Sequence, residues 1–191
     1  MSRAIVDFSN IEVTNPTILI NEPSNEPNRK PPESVGSPGD SKVPKQPPTG
    51  LKLVNNGLTT TEGLTALAES ALYDPEKLYF LDLSMNDLTG LSDEFKDFKQ
   101  LRTLYIHSNN IASVKEFAVL KDLPNLRQLA CHGNPLETET NYRYWLMLNI
   151  PQLRTINFTA VTPRERRDAE DALHRKAVTL KPYQPVVISK F

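Results

Sequence analysis

Four stretches of the chain repeat one pattern: LKLVNNGL at 51–58, LYFLDLSMNDL at 78–88, LRTLYIHSNNI at 101–111 and LRQLACHGNPL at 126–136. Each fits all or most of the template L-x-x-L-x-L-x-x-N-x-L. This repetition constrains the fold more than any other feature, because a unit so short cannot bury its own leucines. Copies must stack and share one apolar column. The L-x-L core is then a short parallel strand with its leucines inward. The repeat asparagine (Asn56, Asn86, Asn109 or Asn134) offers a side-chain amide to backbone groups where the chain turns away.

The asparagines fall at intervals of 30, 23 and 25 residues. The long first interval holds TEGLTALAESALYDP, in which Leu64, Leu67, Ala68, Ala71 and Leu72 follow helical spacing, with Thr61 as N-cap and Pro75 as stop. The shorter LSDEFKDFKQ and SVKEFAVLKDLP predict short helical turns that bury Leu91, Phe95 and Phe98, then Val114, Phe117, Leu120 and Leu123. Ser113 and Glu116 are spaced as a capping box. A further strand, LRTINF, is expected to turn Leu153, Ile156 and Phe158 inward, but no asparagine completes it and the stack ends there.

An open end of the leucine column needs a cover. NYRYWLMLNIPQL supplies one as a helix carrying Tyr142, Trp145, Leu146 and Leu148. Thr162, Pro163 and Glu165 then place an N-cap, a first-turn proline and a capping-box acid in register. Along that second helix the pairs Arg164–Asp168, Arg166–Glu170, Arg167–Asp171 and Asp171–Arg175 predict a solvated, salt-bridged face. The chain therefore divides into an extended proline-rich N-terminal tail at 1–49, a solenoid at 50–161, a cap helix at 162–178 and an extended C-terminal tail at 179–191.

Nine of the sixteen prolines precede residue 49, and NEPSNEPNRKPPESVGSPGDSKVPKQPPT has almost nothing to bury. Within the same tail Ile5, Val6, Phe8, Ile11, Val13, Ile18, Leu19 and Ile20 are costly to leave in water. They are expected to dock, on a partner or on the chain itself. A net charge of −1 provides no field for polyanions, so neither direct nucleic-acid binding nor an anionic membrane surface is expected. One cysteine allows no internal disulfide, and no run of 18 apolar residues is present. These features predict a soluble, cytoplasmic protein.

That cysteine, Cys131, adjoins His132, a pair one would scan for thiol or metal chemistry. Strand alternation separates them, with Cys131 in a template leucine place facing inward and His132 facing out beside His107 of the preceding repeat. Two histidines without a third ligand make a poor zinc site. With no nucleophile elbow, phosphate loop or paired carboxylates, no catalytic, cofactor-binding or metal-binding residue and no small-molecule substrate are expected.

The outward positions form columns on a concave sheet. They run Phe80, Thr103, Gln128, Thr155; then Lys52, Asp82, Tyr105, Ala130, Asn157; then Val54, Ser84, His107, His132, Thr159. Aromatic, amide and imidazole groups with few charges suit a protein interface. The partner-binding set is therefore Phe80, Asp82, Ser84, Thr103, Tyr105, His107, Gln128, His132 and Asn157.

The repeats, with Tyr142-Arg143, Pro151-x-Leu153 and Val161-Thr162-x-x-Glu165-Arg166, resemble the cap-containing, phosphatase-regulator-like leucine-rich-repeat family over roughly residues 50–177. Its members include a spliceosomal U2 subunit, a phosphatase regulator and an outer-arm dynein light chain. The resemblance implies an α/β solenoid, a right-handed leucine-rich-repeat arc of about five parallel strands with a C-terminal helical cap. DFSNIEV, LDLSMNDLTGL, ACHGNPLETETNYRYW, FTAVT and the LKP of the tail resemble more narrowly a branch of that family from ciliated lineages. That likeness implies a non-enzymatic adaptor or structural component of the cilium or flagellum axoneme, with axonemal or tubulin-associated protein partners. Regulation of a protein phosphatase and a scaffold role in a ribonucleoprotein are the alternatives. The departures are Cys131, where an aliphatic is commoner, and a longer proline-rich insert.

Overall fold

A computed structural model describes residues 4–20, 22 and 47–174. The expected tail at 179–191, most of the proline-rich stretch and the cap helix beyond His174 lie outside the described residues. Strands β1 (Ile5–Asp7), β2 (Gly50–Lys52), β3 (Phe80–Asp82), β4 (Thr103–Tyr105), β5 (Gln128–Ala130), β6 (Thr155–Ile156) and β7 (Thr159–Ala160) form one sheet in chain order. Strands β1 to β6 are parallel, and β7 returns antiparallel on β6. Helix α1 (Leu64–Ala71) and 3₁₀ turns at Asp93–Asp97 and Val114–Asp122 lie on the far side of the rungs, and α2 (Tyr142–Asn149) and α3 (Pro163–His174) close the end.

The shared column is Val6, Leu51, Leu81, Leu104, Leu129 and Ile156, all in register and all fully buried. Full burial of each such side chain stabilises by about 1.5–3 kcal/mol, and no single rung could bury both of its faces. Beside it the repeat asparagines form a second ladder. Asn86 Oδ1 accepts from the backbone N–H of Asn56 and Leu58 at 3.0 Å, while its amide donates to Leu53 O and Leu83 O. Asn109 and Asn134 repeat the arrangement one and two rungs on. Each side chain satisfies backbone groups that the turn would otherwise bury unpaired.

The N-terminal assignment needs correction. Residues 4–20 are not part of an extended tail but an additional first rung, so the arc has six parallel strands. Val6, Phe8 and Leu19 are fully buried against it, and the backbone N–H groups of Phe8 and Asn10 donate to Lys52 O and Val54 O. The apolar island has docked on its own chain because the β2 end of the leucine column required a cover. Ile18, 48% exposed, is the member left in water.

Two caps also differ from expectation. Thr61 does not cap α1; its hydroxyl accepts from Ser92 N–H, and the helix N-terminus is held by the carboxylate of Glu94, which accepts from Gly63 and Thr65 N–H. A carboxylate there complements the helix dipole. Gly63 has a φ of 88°, and a Cβ on it would lie 2.4 Å from Thr17 Cγ2, so glycine is required both by conformation and by the docked first rung. Ser113 accepts from Lys115 N–H, but Glu139 rather than Glu116 holds the next free donor, Val114 N–H.

The C-terminal cap buries Trp145, Leu146 and Met147 of α2, with Tyr142 and Leu148 half-buried. Thr162 Oγ1 accepts from Glu165 N–H at 3.1 Å and starts α3 as expected. The rest of the salt-bridged face does not form as the spacing suggests. Glu165 pairs with Arg143 at 2.6 Å, and Arg166 donates to Met147 O and Leu153 O. Arg164–Asp168 remains as an exposed pair at 4.0 Å, and Arg175 lies outside the described residues.

Candidate partner-binding surface

The observed register reproduces the first two outward columns, Phe80–Thr103–Gln128–Thr155 and Lys52–Asp82–Tyr105–Ala130. The columns break at the last rung. Chain reversal between β6 and β7 leaves Asn157 (φ 50°) and Phe158 (φ 61°) as a two-residue hairpin loop in left-handed conformation. Phe158 is therefore not inward but 57% exposed, and its ring lies against the concave sheet.

This reversal completes a band of rings. Tyr105 makes T-shaped contacts with Phe80 and Phe158, each at 5.4 Å between centroids. Phe158 also meets His132 edge-on at 5.7 Å, and His132 stacks on His107 at 4.6 Å with 14° between planes. Gln128 Nε2 donates to the Tyr105 hydroxyl at 3.3 Å, fixing the ring from the neighbouring column. Five rings from β3, β4, the segments following β4 and β5, and the hairpin thus form one amphipathic surface, the type of group most enriched at protein interfaces.

The other expected members have different roles. Ser84 and Asp82 are buried, 2% and 9% exposed, and Asp82 Oδ1 accepts from both the N–H and the hydroxyl of Ser84. Ser84 is thus unavailable to a partner. Asn157 is also drawn inward: its Oδ1 accepts from Cys131 N–H at 2.7 Å and its amide donates to the Tyr142 hydroxyl. It performs for the last full rung what a repeat asparagine performs elsewhere. Thr103 and Gln128 stay half-buried on the sheet.

Cys131 is fully buried, and burial pushes its thiol up to about 12. At neutral pH it is a protonated small hydrophobe facing away from His132. The His107 imidazole is held below its usual value, first by desolvation and then by His132, against a smaller opposing effect of Asp82. Stacked rings place their nitrogens in parallel planes rather than converging on one point, which suits surface contact better than coordination.

Sequence reasoning missed Phe158, Arg143 and Arg166. For Phe158 a signal was present. Val161 occupies the place where the template requires asparagine, so nothing holds the strand in the course that would turn Phe158 inward.

Residues 75–181 match the family described as leucine-rich repeat. Leucine-rich repeat-containing protein 51 of Rattus norvegicus is 38% identical over 130 residues, 68% of this chain and 68% of that protein, and the Homo sapiens protein of the same name gives the same figures. Among solved structures, the Drosophila melanogaster SNF/U2A′ complex contains a chain similar in fold, with a TM-score of 0.60 and 22% identity, the match covering 68% of this chain and 70% of that one.

Proposed function

We propose that this chain, which belongs to the leucine-rich-repeat family, is a non-enzymatic adaptor that grips a protein partner on its concave sheet. The observation that carries the reading is the band of five rings, closed by a phenylalanine 57% exposed at a hairpin tip. An aromatic surface of this extent is costly in water and is relieved by covering. The U2A′ chain, alike in fold, is itself found in a complex with SNF. Axonemal or tubulin-associated partners in a cilium or flagellum are the finer proposal, supported by the narrower sequence resemblance.

Two experiments test the reading. Tagged protein is localised in ciliated cells and its neighbours are crosslinked. Recovery is then repeated with Tyr105→Ala and His107→Ala combined. Concentration in the axoneme and loss of the crosslinked partner are expected. Undiminished recovery would remove the concave face from the reading. Capture of a phosphatase catalytic subunit or a ribonucleoprotein without ciliary concentration would instead support the alternative roles.

A further inference from the structure

Asp82 lies at the floor of the ring band. It shares β3 with Phe80 two residues away, stands in register with Tyr105 on β4, and is 9% exposed. One carboxylate oxygen, Oδ1, takes both bonds from Ser84. The other, Oδ2, accepts no hydrogen bond among the described residues. Lys52, in register on β2, makes no ion pair with it there.

This is an expensive arrangement. Burying a carboxylate is unfavourable unless it is paired. The two bonds from Ser84 do not explain the charge, since they require only an acceptor, which asparagine would supply without that cost. His107 does not supply a counter-charge either, because its imidazole is biased toward the neutral form. Nor do the neighbouring rings: Phe80 on the same strand and Tyr105 in register carry no net positive charge. A carboxylate with a free oxygen, walled by aromatic rings, is complementary to one kind of side chain.

We propose that the concave face receives an arginine of its partner, whose guanidinium bonds to Asp82 Oδ2 and lies against the ring of Tyr105. The inference rests on the concave-face reading and deepens it by naming the chemistry of the partner's anchor. Arginine fits better than lysine, because a planar guanidinium donates along its edge while its face stacks on a ring. A charge-assisted bond in a site already dehydrated is also the kind of contact that dominates interfaces.

The test uses the full chain, isotopically labelled, and N-acetyl-arginine methylamide as the probe, followed by NMR. Saturable shifts are expected at Asp82, Tyr105 and Phe158. N-acetyl-citrulline methylamide, equal in length and planarity but uncharged, should bind about tenfold more weakly. Asp82→Asn keeps an acceptor for Ser84 and should erase the difference between the two probes. Equal affinity for arginine and citrulline on the unaltered chain, shifts away from the rings, or undiminished arginine binding by Asp82→Asn would each overturn the inference. Should it fail while Tyr105→Ala with His107→Ala still releases the crosslinked partner, the concave-face reading stands with a different anchor. Should that double variant retain the partner, the reading itself fails, whatever the probes show.

Discussion

His107 and His132 occupy the same place on successive rungs, and their rings stack with 4.6 Å between centroids and 14° between planes. Burial and the neighbouring His132 ring both disfavour a cation at His107, so the fold favours its neutral form. His107 is a base with a depressed folded value, so the unfolded chain binds more protons. Its contribution is full above the unfolded value of about 6.5 and is lost as pH falls through the folded one. An NMR titration should give a His107 midpoint below that of a free histidine. His132→Ala should move the midpoint upward, because one depressing influence is removed while Asp82 remains. A midpoint that His132→Ala leaves in place would show that the stack does not set it.

Met85 sits just before a repeat asparagine with a φ of 58°. Asn55, Ser108 and Gly133 hold the equivalent place at 56°, 55° and 70°, so the left-handed turn is a property of the rung. Methionine is the residue there least suited to it, since a left-handed conformation costs a residue with a Cβ about 1–2 kcal/mol. Met85 is also 53% exposed and has little packing to lose. Met85→Asn should raise stability by about 0.5–1 kcal/mol in urea denaturation. A decrease would mean that the thioether contributes packing beyond what its exposure indicates.

Cys131 offers a check on rung orientation. A buried thiol at about 12 carries almost no thiolate at pH 8, so the native chain should leave Ellman's reagent unreacted and react once unfolded in denaturant. Rapid native reaction would place the side chain outward with His132.

The rungs that the sequence made legible are those where leucine column and asparagine ladder coincide. Leu81, Leu104 and Leu129 repeat at fixed offsets from Asn86, Asn109 and Asn134, so register, burial and outward columns all follow. Where one half of the signal is missing, the reading stops early. The first rung has Val6 and Phe8 in the leucine places but Ile11 where an asparagine is expected, and its turn is held instead by Asn56, which accepts from Ile11 N–H. Long-range caps were hidden for another reason. Glu94 of the Asp93–Asp97 turn caps the start of α1, and Arg166 of α3 donates to Met147 O at the end of α2; local spacing is silent on the first and pairs the second with Glu170.

Arg143 ties the cap together. It pairs with Glu165 and also donates to Ile156 O at 2.9 Å and to Ala160 O at 3.4 Å, clamping α2, α3 and both strands of the terminal hairpin. The two charged side chains are 22% and 25% exposed, so solvent screens the pair only in part. Glu165→Gln should cost about 1–2 kcal/mol, and Arg143→Met about 3, since carbonyls then lose their donor as well. The Glu165 carboxyl is held below its ordinary value, chiefly by its hydrogen bond from Arg143. Its contribution is therefore present above the unfolded value of about 4.3 and lost as pH falls through the folded one. The stability gap between the unaltered chain and Glu165→Gln should narrow as pH falls below the unfolded value, and a gap unchanged with pH would show that packing rather than charge holds the cap.

Phe158 separates binding from folding. Its ring touches Tyr105 and His132 but is mostly in solvent, so Phe158→Ser removes two edge-on contacts worth about 0.5–1.5 kcal/mol each and little buried area. The β6–β7 hairpin is set by the conformation of two residues, and Asn157, which makes the inward bonds to Cys131 N–H and the Tyr142 hydroxyl, is untouched by the change. Thermal unfolding should therefore fall by only a few degrees while recovery of the concave-face partner drops at least tenfold, the loss expected on truncating a central aromatic anchor. If recovery holds and stability falls, Phe158 serves to shield the end of the sheet rather than to meet a partner, and the surface a partner covers ends at Tyr105.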